Sequence, residues 1–342
     1  MQKKIIALAV AAAFSAPAFA DTTVYGVIDA AITNTSQTNM KSRMDVTSGG
    51  LSTSRLGVKA VQDLDNGMKV VGVLEYKLDV ANNASLVSAR QQMLALAGDF
   101  GTVAAGYLQT TGYDFSNTFN PFAGSAVDPY SSANPTSFIT TGSRAPHAAA
   151  YISPNMGGVT VALNHTFNYA NVGLTANGDT TTAGNTTSAN LLSVNYAAGP
   201  LAVGGVYVGT SNDGTGYEKV TEMSVGASYD LGAVKLLGSY LTHKKDANAA
   251  SLALDAKAAG TNKMIDFSLV APVGPGAVVF GYAKNTIDAT TAADNTSSFT
   301  VAYLDNLSKT TTAYGAIQKI STQAAPTNID TTVLAIGLRE KF

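Results

Sequence analysis

From Thr23 onward, apolar and polar positions alternate with a period of two, in segments of about ten residues. That is the period of a β-strand with one face in an apolar medium and the other in a polar one. In the first segment Val24, Gly26, Ile28, Ala30 and Ile32 share one face, and Tyr25, Val27, Asp29 and Ala31 share the other. Over Met68–Val80 the apolar face is Val70, Gly72, Leu74, Tyr76 and Leu78, opposed by Lys69, Glu75, Lys77 and Asp79. Met223, Val225, Ala227 and Tyr229 oppose Glu222, Ser224, Gly226, Ser228 and Asp230. Ile265, Phe267 and Leu269 oppose Asp266 and Ser268, and Phe299, Val301 and Tyr303 oppose Ser298, Thr300 and Ala302. Leu334, Ile336 and Leu338 share a face with Phe342 at the end.

A soluble β-sandwich alternates in the same way, with its apolar face inward. Two features favour a barrel that is apolar outside. The polar face carries small polar residues rather than a Lys/Glu-rich surface, and Tyr and Phe recur near segment ends, where membrane interfaces select them. The connections alternate between two classes. Short ones are Asp63–Gly67, Gly98–Gly101, Ser153–Gly158, Ala197–Pro200, Asp230–Gly232, Ala271–Gly276 and Asp305–Lys309, whose Gly and Asn suit tight hairpins. Long ones cover approximately 33–50, 80–88, 109–143, 168–188, 209–220, 244–261, 288–296 and 321–330. Seven short and eight long connections join sixteen strands. After the N-terminus no apolar run reaches the roughly 18 residues a spanning helix needs. Strands that cross lipid must close on themselves so that every backbone N–H and C=O is paired. The expected fold is therefore all-β, a 16-stranded antiparallel transmembrane β-barrel.

The first 20 residues obey a different rule. Lys3 and Lys4 precede the apolar run Ile5–Phe14, and Ala18-Phe19-Ala20 has the small-x-small pattern of a signal-peptidase site. Residues 1–20 are expected to be a signal peptide and 21–342 the barrel, exported to the outer membrane of a Gram-negative bacterium. Charged residues make up 13% of the chain, against about 25% in ordinary soluble domains. Without Lys3 and Lys4, 19 basic residues face 23 acidic ones, a net charge of −4 that argues against nucleic acid as a partner. The absence of Cys excludes disulfides, thiol chemistry and lipidation at the cleavage site.

Several motifs then resemble the trimeric general porins of Gram-negative bacteria, of the betaproteobacterial and neisserial type. They are Thr23–Ala30, Ser54–Lys59 followed by Asp63-Leu64 and Gly67–Lys69, Leu74-Glu75, Arg90-Gln91, Gly98–Val103 with Gly106, Tyr151–Asn155 with Gly157-Gly158, and Gly337–Phe342. The match is strongest over 21–160 and at the C-terminus. The resemblance implies a water-filled channel for passive diffusion of small hydrophilic solutes and ions, in a homotrimer embedded in lipid and lipopolysaccharide. It implies that the third long loop, 109–143, folds inward, and that Phe342 is the signal read by the barrel-assembly machinery. It places basic wall residues opposite acids on that loop. Strand parity puts Arg55 and Lys59 on the inner face, together with Glu75, and the resemblance adds Arg90 and Arg144. On the loop the candidates are Tyr113, Asp114, Asn120 and Asp128. Arg90 shares parity with Leu94 and Leu96, which points it outward by simple counting. The family's pattern is thinned at Tyr107, Ala150 and Asn120, so a weakly charge-selective pore is expected, with its sign open.

No catalytic or metal constellation is expected. His147, His165 and His243 stand in three distant segments, no Gly-x-Ser-x-Gly elbow occurs, and Asp63-x-Asp65 with Gly67 lacks the spacing of a calcium loop. No enzyme activity, cofactor or metal is therefore expected. Two other readings stay open at this point. One is a substrate-specific channel using the loop aromatics Tyr113, Phe115, Phe119, Phe122 and Tyr130, and the other is a secreted β-rich adhesin.

Overall fold

Alternating segments joined by tight turns fold as a meander, each strand pairing with the next. The computed structural model describes residues 21–82, 88–133, 144–167, 187–212, 219–245, 260–288, 295–323 and 328–342. The expected signal at 1–20, the end of the third loop at 134–143 and the central parts of six other long connections lie outside the described residues. The strands are β1 (Asp21–Gln37), β2 (Arg43–Ser48), β3 (Arg55–Asp63), β4 (Lys69–Lys77), β5 (Ser88–Gly98) and β6 (Gly101–Gln109). Two helices follow, α1 (Thr111–Phe119) and α2 (Pro129–Ala133). Next come β7 (Arg144–Ile152), β8 (Val159–Thr166), β9 (Thr187–Ala198), β10 (Leu201–Asn212), β11 (Val220–Asp230) and β12 (Lys235–Lys245). The last are β13 (Gly260–Val273), β14 (Gly276–Asp288), β15 (Thr296–Asn306), β16 (Thr311–Thr322) and β17 (Ile329–Lys341).

Neighbours from β3 to β17 pair antiparallel in sequence order, and β17 returns to β1, from Val27↔Lys341 to Gln37↔Thr331. The last residue completes the seam: Gly26 N donates to Phe342 O at 2.9 Å, and Phe342 N donates to Gly26 O at 3.2 Å. β2 and β3 pair with successive halves of β1, Ala30–Thr35 and Asp21–Val27. They are one wall strand broken at Gly49–Ser54, so the seventeen segments make a closed barrel of sixteen strands.

The outer surface is apolar. Val24, Ile28, Ile32, Leu74, Leu94, Met223, Val225, Ile265, Phe267, Ile336 and Leu338 are exposed, while Asp29, Glu75, Glu222, Ser224, Ser268 and Thr300 on the alternate positions are buried. Phe100, Tyr151, Tyr229, Tyr303 and Phe342 cluster at the short-turn end, where Tyr151 Oη donates to Phe100 O and Tyr303 Oη donates to Val273 O. This is an aromatic girdle at a membrane interface.

The structure corrects the expected first loop. β1 continues to Gln37 and β2 resumes at Arg43, so 33–50 is mostly paired strand and the turn is only 38–42. Thr33–Gln37 are polar on both faces because a strand end beyond the lipid has water on both sides. Pairing persists there although the alternation that marks a strand does not.

Gly26 makes the seam possible, because a Cβ there would collide with the Phe342 ring. Gly26→Ala should therefore lower the fraction of barrel that resists unfolding in detergent without heating, at an overpacking cost of about 1–3 kcal/mol. Gly72→Ala, whose Cβ would meet nothing within 4 Å, should match the native chain on the same gel.

Candidate functional site

The β6–β7 connection opens with a helix because Thr110 caps it, its Oγ1 accepting from Tyr113 N at 3.1 Å. Phe115 and Phe119 lie one turn apart on the buried face of α1, with ring centroids 4.9 Å apart. They pack on Leu191, Val206 and Val208 of β9 and β10. Further on, Phe122 and Val127 pack against Val279, Ala302 and Ala335, and Tyr130 and Ala133 of α2 pack against Leu241, Met264 and Ala283. The wall yields space with glycine: a Cβ on Gly226 would stand 2.7 Å from Phe119, and one on Gly281 3.0 Å from Phe122. Polar contacts fix the rest. Thr111 N donates to Asn164 Oδ1 at 2.7 Å, Thr300 Oγ1 to Val127 O at 2.7 Å, and Gln318 Nε2 to Ser132 Oγ at 3.0 Å. Ala126 N donates to Gly49 O and Gly50 O, both at 3.2 Å. These partners belong to the inner face of the wall, so the connection runs inside the barrel from β6 across to the break between β2 and β3.

The expected wall residues meet on the opposite side. Glu75 of β4 is the centre. Arg90 Nε lies 2.6 Å from its Oε1, Arg144 Nη2 3.9 Å from Oε1 and Arg55 Nε 3.7 Å from Oε2. Tyr25 Oη also donates to Oε2, at 3.1 Å. Of the three guanidiniums only Arg90 makes a contact of hydrogen-bond length; the other two are held at Coulombic range. The Arg144 guanidinium also sits 4.8 Å from the centroid of the Tyr113 ring on α1, a cation–π contact between wall and loop. Gln91 Nε2 donates to Gln109 Oε1 at 3.3 Å, and Gln109 Nε2 donates in turn to Asp114 Oδ1. A polar cavity of about 330 Å³ remains between wall and loop, lined by Arg55, Glu75, Arg90, Gln109, Tyr113 and Asn117 among others.

Arg90 reaches this cluster through a β-bulge. Glu75 pairs with Gln91 and Tyr76 with Ala89, leaving Arg90 as the extra residue. The bulge turns both Arg90 and Gln91 inward, whereas Leu94, past it, faces out. A similar register shift between Gly106 and Leu108 holds Tyr107.

Three expectations are corrected. Lys59 shares the parity of Arg55 but stands four residues along the strand, about 13 Å away, exposed and without an ion pair among the described residues. Asn120 and Asp128 are buried inside the loop rather than turned to the cavity. Asn120 Nδ2 donates to Asp128 Oδ1 at 2.9 Å and Asn120 Oδ1 accepts from Phe122 N, while Asp128 also accepts from Tyr130 N and Ser131 Oγ. Burial pushes the Asp128 carboxyl up to about 6, and its charge is spent on these donors. Both residues fold the loop because a chain segment buried inside a barrel must satisfy its own polar groups. The aromatics Phe115, Phe119, Phe122 and Tyr130 are likewise buried anchors, which leaves Tyr113 alone at the cavity of the five that motivated a substrate-specific aromatic site.

Sequence reasoning missed Tyr25, Gln109, Asn117, Arg339 and Lys341. Arg339 pairs in register with Asp29, and its Nη2 donates to Thr312 Oγ1 at 3.2 Å. The signal for the last two was present, since outward Leu334, Ile336 and Leu338 leave Arg339 and Lys341 on the inner parity.

A closed barrel that is apolar outside, with a charged inner cluster facing an internal loop, defines an outer-membrane channel. The chain belongs to the Gram-negative porin family, which it matches over residues 7–325. It is 29% identical over 341 residues to outer membrane porin protein 32 of Delftia acidovorans, covering 96% of this chain and 92% of that protein. It is 34% identical over 118 residues to the major outer membrane protein P.IB of Neisseria lactamica, covering 32% of this chain and 34% of that one. Among solved structures it resembles the anion-selective porin from Comamonas acidovorans, with a TM-score of 0.77 and 23% identity, covering 94% of this chain and 100% of that chain. OmpT of Vibrio cholerae, in a loop-deletion form, gives a TM-score of 0.67 at 14% identity, covering 95% of this chain and 100% of that chain. The protein is an outer-membrane porin that lets small solutes and ions diffuse through a water-filled channel.

Truncating a loop anchor should show in the current through this channel. Phe119→Ala removes a fully buried ring, a loss of about 3–5 kcal/mol of local packing. Planar-bilayer recordings should then show frequent sub-conductance steps, whereas Thr118→Ala, on the exposed side of α1, should keep one open level.

Proposed function

We propose that the channel prefers anions, and that Arg55, Arg90, Arg144 and Glu75, with Tyr113 and Asp114 across from them, form its selective neck. The observation that carries this reading is the ratio of charges: three guanidiniums share one carboxylate, and two of them, Arg55 and Arg90, line the cavity. Of the two acids in the described part of the loop, Asp128 is buried and only Asp114 is exposed. The neck thus carries a small positive excess. The likeness to a porin whose own description is anion-selective supports the same sign.

The preference is weak. A unit charge about 7 Å from a permeating ion, in a water-like dielectric, is worth about 0.6 kcal/mol, or roughly threefold in local ion concentration. Neutral Ala150, which packs beside the small inner-wall residues Ala95, Ala104, Ala145 and Ala148, adds nothing to that field.

We further assign residues 1–20 as the cleaved secretion signal and 21–342 as the barrel. The chain assembles as a homotrimer through the outer faces of β1, β3 and β17, where Val24, Ile28, Val58 and Ile336 are exposed. The rest of the outer band meets lipid and, at the long-loop end, lipopolysaccharide. Phe342, exposed on the outer surface at the seam, serves the barrel-assembly machinery. The task is passage rather than catalysis.

Reversal potentials across a potassium chloride gradient check the neck. Arg55→Gln and Arg90→Gln should each lower the chloride-over-potassium permeability ratio by roughly sevenfold or less, because the two ions shift in opposite senses, and Glu75→Gln should raise it by a similar factor. A native chain that favours potassium, or three variants identical to it, would contradict this reading.

A further inference from the structure

We propose that Asp29, which is not a member of the Glu75 cluster, is a positioning residue that sets the channel's aperture by holding the wall break at Gly49–Ser54 in the shape that receives the loop tip. Asp29 is fully buried on the inner face of β1. Its Oδ2 accepts from Leu51 N at 3.0 Å and Ser52 N at 2.7 Å, and its Oδ1 accepts from Tyr314 Oη at 2.5 Å. The backbone of the same residue completes the clamp. Gly49 N donates to Asp29 O at 2.8 Å, Asp29 N donates to Ser54 Oγ at 3.0 Å, and Ser54 Oγ donates to Asp29 O at 3.0 Å. A carboxylate is therefore committed to a segment that leaves the sheet, and Leu51 is drawn in against Ala31 and Tyr314.

What the clamp holds is what the channel uses. The carbonyls of Gly49 and Gly50 take the N–H of Ala126, and Thr53 Oγ1 donates to Gly124 O at 3.4 Å. The loop tip has its mooring on this segment, on the far side of the barrel from the aromatic anchors of α1. The same segment leads directly into the selective neck, since Arg55 Nη1 donates to Thr53 O at 3.1 Å. One buried carboxylate thus fixes both edges of the cavity at this point: the loop tip, through Gly49 and Gly50, and the Arg55 guanidinium, through Thr53. Asp29 touches no permeating ion and acts only through these residues. The proposal does not depend on which ion the channel prefers.

Gly50 offers an independent handle. A Cβ there would collide with the Tyr314 hydroxyl and press on Ala31, so Gly50→Ala pushes the segment off its clamp while leaving the Asp29 carboxylate in place. The experiment uses the full barrel, purified in the form that resists unheated detergent, in planar bilayers in potassium chloride. Asp29→Ala and Gly50→Ala should each raise the open-channel conductance, split it into sub-levels, and shift the chloride-over-potassium ratio as Arg55 loses its place. Asp29→Asn keeps an oxygen for Leu51 N and Ser52 N and should restore a single level close to the native one. If Asp29→Ala yields no folded barrel, Gly50→Ala decides. A folded Gly50→Ala or Asp29→Ala barrel with native conductance, one level and native ratio overturns the proposal. So does an Asp29→Asn barrel as disturbed as Asp29→Ala, because the hydrogen bonds to the segment would then not be what matters.

Discussion

A strand in lipid cannot leave a backbone N–H or C=O without a partner, and the structure follows from that demand. It requires the sheet to close, and closure rests on the seam where β1 meets β17 and Phe342 exchanges two hydrogen bonds with Gly26. Closure in turn fixes parity. Once the outer positions must be apolar, every alternate residue is turned to the interior, whatever its chemistry. The polar interior of this barrel is the consequence of an apolar exterior, and the charges that govern passage are drawn from those alternate positions.

The interior would be a wide tube without two departures from regular sheet. One is the bulge at Arg90, which adds a third guanidinium to a cluster that strict alternation would limit to Arg55 and Arg144. The other is the break between β2 and β3, which gives the internal loop a place to dock. Irregular backbone inside a membrane barrel needs partners of its own, and Asp29 supplies them at the break. Glu75 does the corresponding work for charge. A cluster of three guanidiniums held by one carboxylate and a tyrosine hydroxyl is ordered without being neutral, and an ordered net charge is what a permeating ion can sense.

The parts of the fold that lipid dictates were legible in the sequence. The faces of Val24–Ile32, Val70–Leu78 and Leu334–Leu338 could be assigned by counting in twos, and the same count turned Arg55 and Glu75 inward. Where lipid does not act, the code faded. Thr33–Gln37 read as loop because water bathes both faces of a strand end, although the strand is paired. Counting alone pointed Arg90 outward, because a bulge shifts the count by one and leaves no mark in composition, and only the resemblance placed it on the pore wall. Asn120 and Asp128 looked available for the pore because loop polar residues usually face water. This loop is enclosed, so it spends them on its own backbone. Arg339 and Lys341 were readable by parity and were passed over as part of a terminal motif.

We propose that the Glu75-centred cluster presents net positive charge to the permeation path. Crystals of the protein soaked in rubidium bromide test this, since both ions scatter anomalously and one crystal reports on each. Bromide is expected in the cavity bounded by Arg55, Arg90 and Tyr113, with no rubidium there. Rubidium beside Glu75, with bromide absent from that cavity, would contradict it.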